Sequence, residues 1–275
     1  MPDADVVVVG ARCAGSPLAA LLAARGLKVV VVDRARLPSD TASTHVVQPR
    51  GASVLGRLGV LDALLAAAPP LTAFTLVNED VRIDTAIPAD MGPTLCVRRV
   101  TLDIALADAA ARAGADVRTG VTVRGVLRRG GRVVGVDTDA GPITADLVVG
   151  ADGRKSVIAR SVGAFEYATL PAGRMPIWGY FEGVQDPESR LRLARLGEHA
   201  FLSCPCDGGL YLAGVAPAMA DRDAVLATRE ETFTAGIAQW PELADLLTGA
   251  RRVGPLRTVR TGTATCAGPP GRAGC

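Results

Sequence analysis

Residues 6–33 read VVVVGARCAGSPLAALLAARGLKVVVVD, and this stretch decides the predicted fold of the chain. Its two runs of four valines are continuous apolar segments, as in parallel strands that are buried on both faces. Between the runs, Ser16 and Pro17 are typical of a helix start, leucines recur at helical spacing, and Gly26 is typical of a helix end. The stretch therefore predicts a strand, a helix and a second parallel strand, which together begin an α/β fold.

The turn between the first predicted strand and the helix reads Gly10-Ala11-Arg12-Cys13-Ala14-Gly15. In dinucleotide-binding folds, glycines in this turn allow a tight bend and close packing, and amides at the helix start bind a pyrophosphate. Asp33 ends the second valine run and is placed to accept hydrogen bonds from ribose hydroxyls. Arg12 replaces the middle glycine, so either the turn shifts or the guanidinium neutralises the pyrophosphate. The alternative is a plain α/β protein whose glycines only turn the chain.

A second glycine-containing turn follows a valine-rich segment, Asp146-Leu147-Val148-Val149-Gly150-Ala151-Asp152-Gly153. This segment predicts a strand that runs into a Gly-Asp-Gly turn before a helix. Between the two turns, the segment Arg99-Val100-Thr101-Leu102-Asp103 lies at the start of a predicted helix. In this order, the three segments resemble the motifs of the para-hydroxybenzoate hydroxylase-like FAD family, which includes aromatic-ring monooxygenases and, more distantly, geranylgeranyl reductases.

The resemblance implies FAD as the cofactor, and it implies which residues bind FAD. The glycine turn and Asp33 would hold the ADP half, Arg99 would reach the pyrophosphate and ribityl chain, and Asp152 would bind from the other side. These residue types suit the roles, because carboxylates accept from sugar hydroxyls and arginine binds phosphate. The predicted cofactor-binding residues are Gly10, Ala11, Arg12, Cys13, Ala14, Gly15, Asp33, Arg34, Arg99, Gly150, Asp152 and Gly153.

The resemblance also implies an activity, that of an FAD-dependent monooxygenase. Such an enzyme uses NAD(P)H as a transient reductant and O2 to oxygenate a small organic substrate, aromatic ones included. Three alternatives stay open: a flavin-dependent reductase of a prenyl group or another alkene, a truncated FAD-binding remnant without activity, and a dehydrogenase that uses nicotinamide alone. The remnant is an alternative because family members usually carry a third, Gly-Asp cofactor motif, and the sequence lacks one after the second predicted domain.

Residues 34–49 are polar and rich in Thr and Ser, which predicts a long loop. His45 in this loop is the catalytic candidate, because the resemblance places the loop over the flavin side of the cofactor and imidazole titrates in a range that suits proton transfer. A packing or surface role is the alternative. Cys204, Cys206 and His199 supply too few ligands for a structural zinc site, so we predict strand cysteines and no metal.

The predicted domains are a Rossmann-like FAD-binding domain and a mixed-sheet substrate domain. The first comprises residues 1–73 and 95–165, the second residues 74–94 and 166–259, and residues 260–275 form an irregular tail without a helix or strand. The other predicted elements are a helix at 51–67, a hairpin of 74–77 with 81–87, strands at 175–184 and 201–216, and a helix at 223–247 with a break at its proline. The predicted walls of a substrate site, with core packing as the alternative, are Trp178, Tyr180, Phe181 and Phe201.

Composition and charge exclude several classes of binding partner. Of 275 residues, 30 are basic and 28 acidic, giving a formal net charge of +2 that is too balanced for a general nucleic-acid binder. No apolar run approaches the roughly 18 residues that a membrane-spanning helix needs. The six cysteines lack the density of a secreted disulfide framework. We therefore expect a cytoplasmic protein with a small-molecule substrate, no nucleic-acid partner and no membrane span, in an oligomeric state that the sequence does not indicate.

Overall fold

A computed structural model describes residues 1–171, 173–218, 222–259 and 263–268 of the chain. They form a mixed α/β fold, as predicted. In chain order its helices and strands are β1 (Ala4–Val9), α1 (Gly15–Ala23), β2 (Val29–Asp33), β3 (Val46–Val47), α2 (Pro49–Arg57), α3 (Leu61–Ala67), β4 (Pro70–Leu71), β5 (Ala73–Asn78), β6 (Val81–Ala86), β7 (Thr94–Cys96), α4 (Arg99–Arg112), β8 (Asp116–Thr119), β9 (Val123–Arg129), β10 (Arg132–Thr138), β11 (Ile143–Gly150), α5 (Val157–Ser161), β12 (Phe165–Pro171), β13 (Ile177–Glu182), β14 (Arg190–Leu196), β15 (His199–Cys206), β16 (Leu210–Ala216), α6 (Arg222–Ala227), α7 (Arg229–Ala238), α8 (Pro241–Leu246), β17 (Arg251–Thr258) and β18 (Thr263–Gly268).

The two valine runs lie side by side at the centre of a six-stranded sheet. Its strand order is β8-β2-β1-β11-β10-β9, and β1 pairs in parallel with both β2 and β11. Valines of β1 and β2 pack on both faces of the sheet, against α1 and α4 on one face and against β9, β10 and α5 on the other. Burial on both faces explains why these strands are continuously apolar rather than alternating.

A seven-stranded sheet forms the second unit of the fold, in the order β17-β13-β16-β15-β14-β5-β6. All neighbouring strands in it are antiparallel except β14 and β5, which are parallel. One face packs against helices α6 to α8, where Phe181 stacks on Phe233 and Phe201 meets the edge of Trp240. The opposite face contacts the first unit through residues such as Leu71 and Cys96.

Three buried thiols lie at this contact between the two units. Cys96 on β7 packs against Cys204 and Cys206 on β15, and all three are almost fully buried. Cys204 and Cys206 lie on a strand, as predicted, and all three cysteines are free thiols. No group of ligands suited to a metal ion occurs among the residues that the structure describes.

The structure corrects several of the predicted elements. The single helix at 51–67 is two helices, α2 and α3, because Gly59 adopts a φ of +67° between them. The strand at 201–216 is likewise divided into β15 and β16 by a short 3-10 turn, Asp207–Gly209, in which Gly208 has a φ of +72°. The helix at 223–247 is three helices, α6 to α8, whereas the hairpin of β5 and β6 is found as predicted.

The C-terminal segment is a second correction. Residues 260–275 were predicted to contain no regular element, but the structure places β18 (Thr263–Gly268) antiparallel to β12 (Phe165–Pro171). The irregular remainder of the prediction, residues 260–262 and 269–275, lies outside the described residues. The predicted division into two domains stays a prediction. In the described parts of the chain, none of the helices combines the length and apolar character that crossing a bilayer requires.

Candidate functional site

The two glycine turns of the sequence are in direct contact. Gly10 has a φ of +106°, and a Cβ built there would lie only 2.3 Å from the carbonyl oxygen of Ala151. The amide of Ala151 in turn donates a 2.7 Å hydrogen bond to the carbonyl oxygen of Val9. The glycine turn after β1 and the Gly-Asp-Gly turn after β11 therefore form one edge of the parallel sheet, at the carboxyl ends of its central strands, where α/β sheets bind ligands.

Helix α1 begins directly above this edge. A Cβ at Gly15 would lie 1.7 Å from the carbonyl oxygen of Gly10, so only glycine lets the helix start pack on the turn. Ala14 at the N-cap provides no capping side chain, the first turn contains no acidic residue, and Cys13 and Ala14 are exposed. The first N–H groups of a helix have no acceptor within it. This helix start therefore presents open amides and a positive dipole end to an anion.

Asp33 lies at the end of β2 beside the same turn. Its carboxylate accepts hydrogen bonds from the amides of Ala11 at 3.0 Å and Ala35 at 2.8 Å, and only 7% of the residue is exposed. Asp33 thus fixes the glycine turn. A carboxylate has about four acceptor positions, so two amide donors leave capacity for ribose hydroxyls. Arg34, the next residue, is exposed.

Arg12 and Arg99 converge on one buried carboxylate, Asp103. Arg99 donates to both oxygens of Asp103, at 2.8 and 2.9 Å, and Arg12 donates at 3.0 Å. The side chain of Asp103 is completely buried. Arg12 also donates to the hydroxyls of Ser39 and Thr41, and it therefore ties the loop after β2 to the glycine turn.

The contacts of the Arg12 side chain explain how the turn accommodates an arginine where the fingerprint has a glycine. Its Nε lies 3.5 Å from Asp33, so the guanidinium sits between two carboxylates, those of Asp33 and Asp103. Together with Arg99 these four side chains carry equal numbers of positive and negative charges. The turn accommodates Arg12 by directing its side chain to this cluster and to the loop.

The carboxylate of Asp152 forms hydrogen bonds within its own turn. One of its carboxylate oxygens accepts from the Ser156 hydroxyl at 2.6 Å, and the other accepts from the amides of Val157 and Ile158 at 2.6 and 3.3 Å. Asp152 therefore accepts from the first amides of α5, whose N-cap residue is Ser156. Gly150 lies against Ile158, where a Cβ would come within 2.9 Å of its side chain, and Gly153 has a φ of +78°. These contacts fix the conformation of the turn, which lies next to Gly10.

His45 is buried. The surface role that the sequence left open for it is therefore wrong. The residue is 2% exposed, and its Nε2 lies 2.7 Å from the Tyr180 hydroxyl, which also accepts a 3.3 Å hydrogen bond from Trp178. Burial lowers the pKa of His45 to about 4, and burial raises the pKa of Tyr180 to about 12. Both side chains are therefore neutral at pH 7. The sequence placed His45 in the loop but gave no sign of its partner on β13.

The two adjacent arginines at the start of α4 have different partners. Arg99 binds Asp103 on its own helix, whereas Arg98 forms a bidentate ion pair with Asp207 from the second unit, with contacts of 3.1 Å. The Arg98 amide and the Thr101 hydroxyl also donate to Asp207, at 2.7 and 2.5 Å. This buried carboxylate joins the start of α4 to the seven-stranded sheet.

A cavity of about 480 Å³ lies between the loop after β2 and the seven-stranded sheet. This volume is in the range of small-molecule sites. Residues 42–44 of the loop form one side, Arg154 of the second turn reaches it, and the sheet supplies a mostly apolar wall. The main apolar residues of that wall are Trp178, Leu193, Leu202, Leu212 and Val259.

The four predicted wall residues divide between two environments. Trp178 lines the cavity, whereas Phe201 borders it but packs its ring against Trp240 on the helix-covered face. Tyr180 lies beside Trp178 and contacts His45 instead of the cavity, and Phe181 points to the helix-covered face and stacks on Phe233. Core packing, the stated alternative, is the correct interpretation for Phe181.

The residues at the sheet edge fit a dinucleotide that carries a pyrophosphate. The glycine turn comes so close to its neighbours that no side chain could replace Gly10 or Gly15, and the helix start is uncapped. Ser16, in the first turn of α1, has a buried hydroxyl without a partner in the described structure. A buried polar group without a hydrogen bond is rare in native proteins. These features form a cradle for phosphate, with Asp33 placed for a ribose.

Sequence reasoning gave no role to Asp103 or Asp207, and it placed Tyr180 in the wall of a substrate site instead of beside His45. Asp103 had a usable signal, because it stands four residues after Arg99 on a predicted helix, the spacing at which opposite charges meet. The role of Asp207 and the pairing of Tyr180 with His45 had no such signal. Both residues are far from their partners in sequence, and only the contact between the two units brings them together.

Comparison with known proteins identifies relatives over part of the chain. A 6-methylpretetramide 4-monooxygenase of Streptomyces rimosus is 34% identical over 175 residues, which cover 58% of this chain and 40% of that protein. A menaquinone reductase of Mycolicibacterium smegmatis is 38% identical over 167 residues, with the same coverage of 58% and 40%. The chain therefore matches about two fifths of the length of these curated relatives.

The fold has a close match among solved structures. The myxobacterial chondrochloren halogenase, an FAD-dependent halogenase, superimposes with a TM-score of 0.86 over 96% of this chain and 65% of that one, at 22% identity. This likeness supports the fold. A family model described as the FAD binding domain matches residues 3–241, most of the chain. The predicted resemblance and the predicted cofactor are thereby confirmed, and the chain belongs to the FAD binding domain family.

Proposed function

We propose that the chain holds FAD along the edge formed by the two glycine turns. The open amides at the start of α1 would bind the pyrophosphate, Asp33 would accept from the adenosine ribose, and Arg99 would contribute positive charge beside the phosphates. The turn of Asp152 would approach the cofactor with its backbone, because the carboxylate already accepts from Ser156 and from the first amides of α5. The observation that supports this most strongly is the contact between Gly10 and Ala151.

The activity that we propose is oxygenation of a small, largely apolar organic substrate. The overall reaction is substrate–H + NAD(P)H + H⁺ + O2 giving substrate–OH + NAD(P)⁺ + H2O. FAD, when bound, supplies the electron transfer and the activation of oxygen. A relative at 34% identity is a monooxygenase, and the cavity beside the proposed FAD site has the size and the apolar lining that suit such a substrate.

The residues of the chain would position the substrate and limit the access of water. Trp178 and Leu212 present apolar surface to the cavity, and the loop of residues 42–44 covers it from the first unit. Arg12 holds that loop through Ser39 and Thr41. Excluding water from such a site protects reactive intermediates from side reactions.

A flavin-dependent reductase is the second candidate. A relative at 38% identity is a menaquinone reductase, and an apolar cavity suits a prenylated or quinone substrate as well as an aromatic one. Two further outcomes of the experiment below are possible: the chain binds FAD without turnover, or it is a dehydrogenase that uses nicotinamide alone. The cytoplasmic location and the absence of a nucleic-acid partner stay predictions from composition.

One experiment separates these candidates. The purified chain, reconstituted with FAD, is supplied with NADH or NADPH and with 1-naphthol or menadione as probes, in the presence and absence of isotopically labelled O2. A monooxygenase consumes O2 and incorporates one labelled oxygen into the naphthol. A reductase converts menadione to its quinol without O2. Oxidation of neither NADH nor NADPH under any condition contradicts both activities, and binding of NAD(H) without FAD contradicts the flavin site.

A further inference from the structure

Strand β6 forms an open edge of the seven-stranded sheet. It has β5 on one side and, among the strands that the structure describes, no neighbour on the other. All six of its residues, Val81–Ala86, are exposed. The strand pairs with β5 residue by residue, without a bulge. Its outer edge is therefore a regular, accessible row of backbone groups.

The hydrogen bonds of the β5–β6 hairpin show which backbone groups face outwards. The amide of Ile87 donates to the carbonyl oxygen of Thr72, so the backbone of residue 87 faces β5. In an antiparallel pair this direction alternates from one residue to the next. The other odd-numbered residues of β6 therefore bond to β5 as well, and the N–H and C=O groups of Arg82, Asp84 and Ala86 point away from the sheet. Such an edge is a template for pairing with another strand.

The other edges of the two large sheets carry features that normally block such pairing. Strand β17, at the opposite edge of the same sheet, contains Pro255, Gly254 with a φ of +77° and a register shift in its pairing with β13. In the six-stranded sheet, the edge strand β8 has only four residues, and the edge strand β9 pairs with β10 through two register shifts. Strand β6 has no proline, no bulge and a longer run of residues. Of these four edges, it is the one that is open to a partner strand.

The two faces of β6 carry different side chains. Val81 and Ile83 are 58% and 50% exposed, and they lie on the same face as Leu76 of β5, which is opposite Ile83 and is 36% exposed. Large apolar side chains that are exposed together mark interaction sites more often than single ones do. On the other face of β6, Arg82 forms an ion pair with Asp84. The strand thus presents an apolar strip on one face and one charge of each sign on the other.

The order of these side chains makes the strand complementary to a second copy of itself. If two copies of β6 meet antiparallel about a two-fold axis at Ile83, Arg82 of one copy lies opposite Asp84 of the second copy. Ile83 then lies opposite Ile83, and Val81 lies opposite Thr85. Opposite charges and β-branched pairs stabilise a sheet when they are directly opposite each other. The outward backbone groups of Arg82 and Asp84 are also the ones that bond across the axis in this register.

Neighbouring registers lack this complementarity. A shift of the second copy by two residues keeps the outward backbone groups together, but it places Arg82 opposite Arg82 or Asp84 opposite Asp84. Like charges that are directly opposite destabilise a strand pair. A shift by one residue places the outward groups of one copy opposite residues that already bond to β5 in the other. The charges and the backbone therefore select the register centred on Ile83.

We propose that a second copy of the chain pairs with β6, edge to edge and antiparallel, in the register centred on Ile83. This isologous contact extends one sheet through both copies. Pairing of two six-residue strands is small compared with the interface of a permanent dimer, so we expect a dimer that forms and dissociates with concentration. None of the residues involved belongs to the proposed FAD site, so FAD is not required.

Sedimentation analysis of the purified chain over a wide range of concentration tests the proposal. In the wild type, we expect a reversible equilibrium between monomer and dimer. Ile83→Lys places two lysines opposite each other at the axis, and we expect the dissociation constant of the dimer to rise about tenfold or more. The control is Leu147→Lys, because Leu147 is also a strand residue, on β11, and is 55% exposed. This variant should dimerise like the wild type.

Cross-linking identifies the register independently of the strength of the dimer. Ile83→Cys places two thiols opposite each other in a non-hydrogen-bonded pair, where the Cα atoms lie about 4.5 Å apart, within reach of a disulfide. With oxidised glutathione as the oxidant, we expect an intermolecular disulfide at residue 83. Val81→Cys is the control, since its two thiols would lie four residues apart along the strands, about 13 Å. The wild type shows the background from the exposed Cys13.

Three results would overturn the proposal. One is a wild-type chain that stays monomeric at every concentration. Another is a dimer that Ile83→Lys, shown to be folded by circular dichroism, weakens no more than Leu147→Lys does. The third is cross-linking of Ile83→Cys that is no faster than that of Val81→Cys. A concentration-dependent dimer that Ile83→Lys dissociates and Ile83→Cys traps supports the pairing of β6 with a second copy.

Discussion

The backbone of Gly10 touches the carbonyl group of Ala151, so closely that a methyl group on Gly10 would lie 2.3 Å from that oxygen. The two residues belong to turns that are far apart in sequence, and the pairing of β1 with β11 brings them together. Both motifs are therefore needed to form the proposed FAD site. Neither turn alone forms the edge on which the cofactor would lie.

Gly10→Ala should abolish FAD binding, and Gly26→Ala should not. Both glycines have a positive φ, +106° and +84°, where a side chain strains the backbone by about 1–3 kcal/mol. Only at Gly10 does the added methyl collide with backbone, since a Cβ at Gly26 meets nothing within 4 Å. FAD titration and chemical denaturation of the two variants check this. Equal affinities in the two variants would show that the contact with Ala151 is unimportant.

Asp33→Ala should weaken FAD binding by at least tenfold, whereas Asp139→Ala should leave it unchanged. Each aspartate accepts from a backbone amide, Asp33 from Ala11 at 3.0 Å and Asp139 from Thr122 at 2.9 Å. Only Asp33 stands at the glycine turn. Its loss removes the support of the turn and the proposed acceptor for the ribose, each contributing about 1 kcal/mol or more. Equilibrium dialysis with FAD measures the difference, and parallel losses in both variants would contradict the assigned role.

Asp207→Ala should destabilise the fold by about 3–5 kcal/mol, because it leaves the partly buried Arg98 without its ion-pair partner. The control is Glu182→Ala, which removes a carboxylate from the exposed ion pair with Arg251. Exposed pairs contribute less than about 1 kcal/mol. Urea denaturation compares the free energies of unfolding. If the two variants lose equal stability, Asp207 does not hold the two units together.

The stability of the fold should fall as the pH is lowered from 6.5 towards 4, through His45. Burial depresses its pKa to about 4 in the folded chain, against 6.5 for an exposed histidine, so in this window the unfolded chain binds a proton that the native chain does not. The stabilisation is complete above pH 6.5 and is lost as the pH falls through the window, by up to about 3 kcal/mol. Nearby Asp40 and Asp207 oppose the shift, and Arg98 and Arg99 support it.

The difference between wild type and His45→Gln isolates this pH effect, because the carboxylates titrate in both proteins. Free energies of unfolding measured from pH 4 to 7 should fall less steeply in His45→Gln. His199→Gln serves as the control and should follow the wild type. Parallel curves for wild type and His45→Gln would contradict the buried, neutral imidazole.

Arg12→Gly should loosen the loop after β2, although it introduces the glycine that the fingerprint has at this place. The substitution removes the hydrogen bonds from Arg12 to Ser39 and Thr41. Trypsin should then cleave faster after Arg34 or Arg36, at the start of that loop. Arg25→Gly is the control, because Arg25 is exposed and, within the described parts of the chain, its side chain donates to the carbonyl of Leu21 on its own helix. Equal cleavage rates in both variants would contradict the role of Arg12.

The sequence predicted those parts of the fold that depend on local patterns. The valine runs, the glycine turn and Asp33 lie within one continuous unit, so spacing and turn chemistry suffice to place them. The partners of His45 and Arg98 could not be predicted, because Tyr180 and Asp207 reach them only through the contact between the two sheets.

The wrong predictions have physical reasons. Helical spacing continues across α2 and α3, and only the positive φ of Gly59 separates them, a feature that periodicity does not show. The strand β18 consists of small residues with no large apolar side chain, and its pairing with β12 is decided by a partner about a hundred residues away. The hairpin of β5 and β6 was predictable, since a turn-forming triplet separates two β-prone runs.

The identity and amount of flavin bound by the purified chain test the central claim most directly. After reconstitution with excess cofactor and removal of unbound flavin, the bound flavin is released by heat and identified by chromatography. The account predicts FAD in equimolar amount to the wild-type chain, and little or none in Gly10→Ala. A folded wild-type chain that retains no flavin, or that retains FMN as readily as FAD, would contradict it.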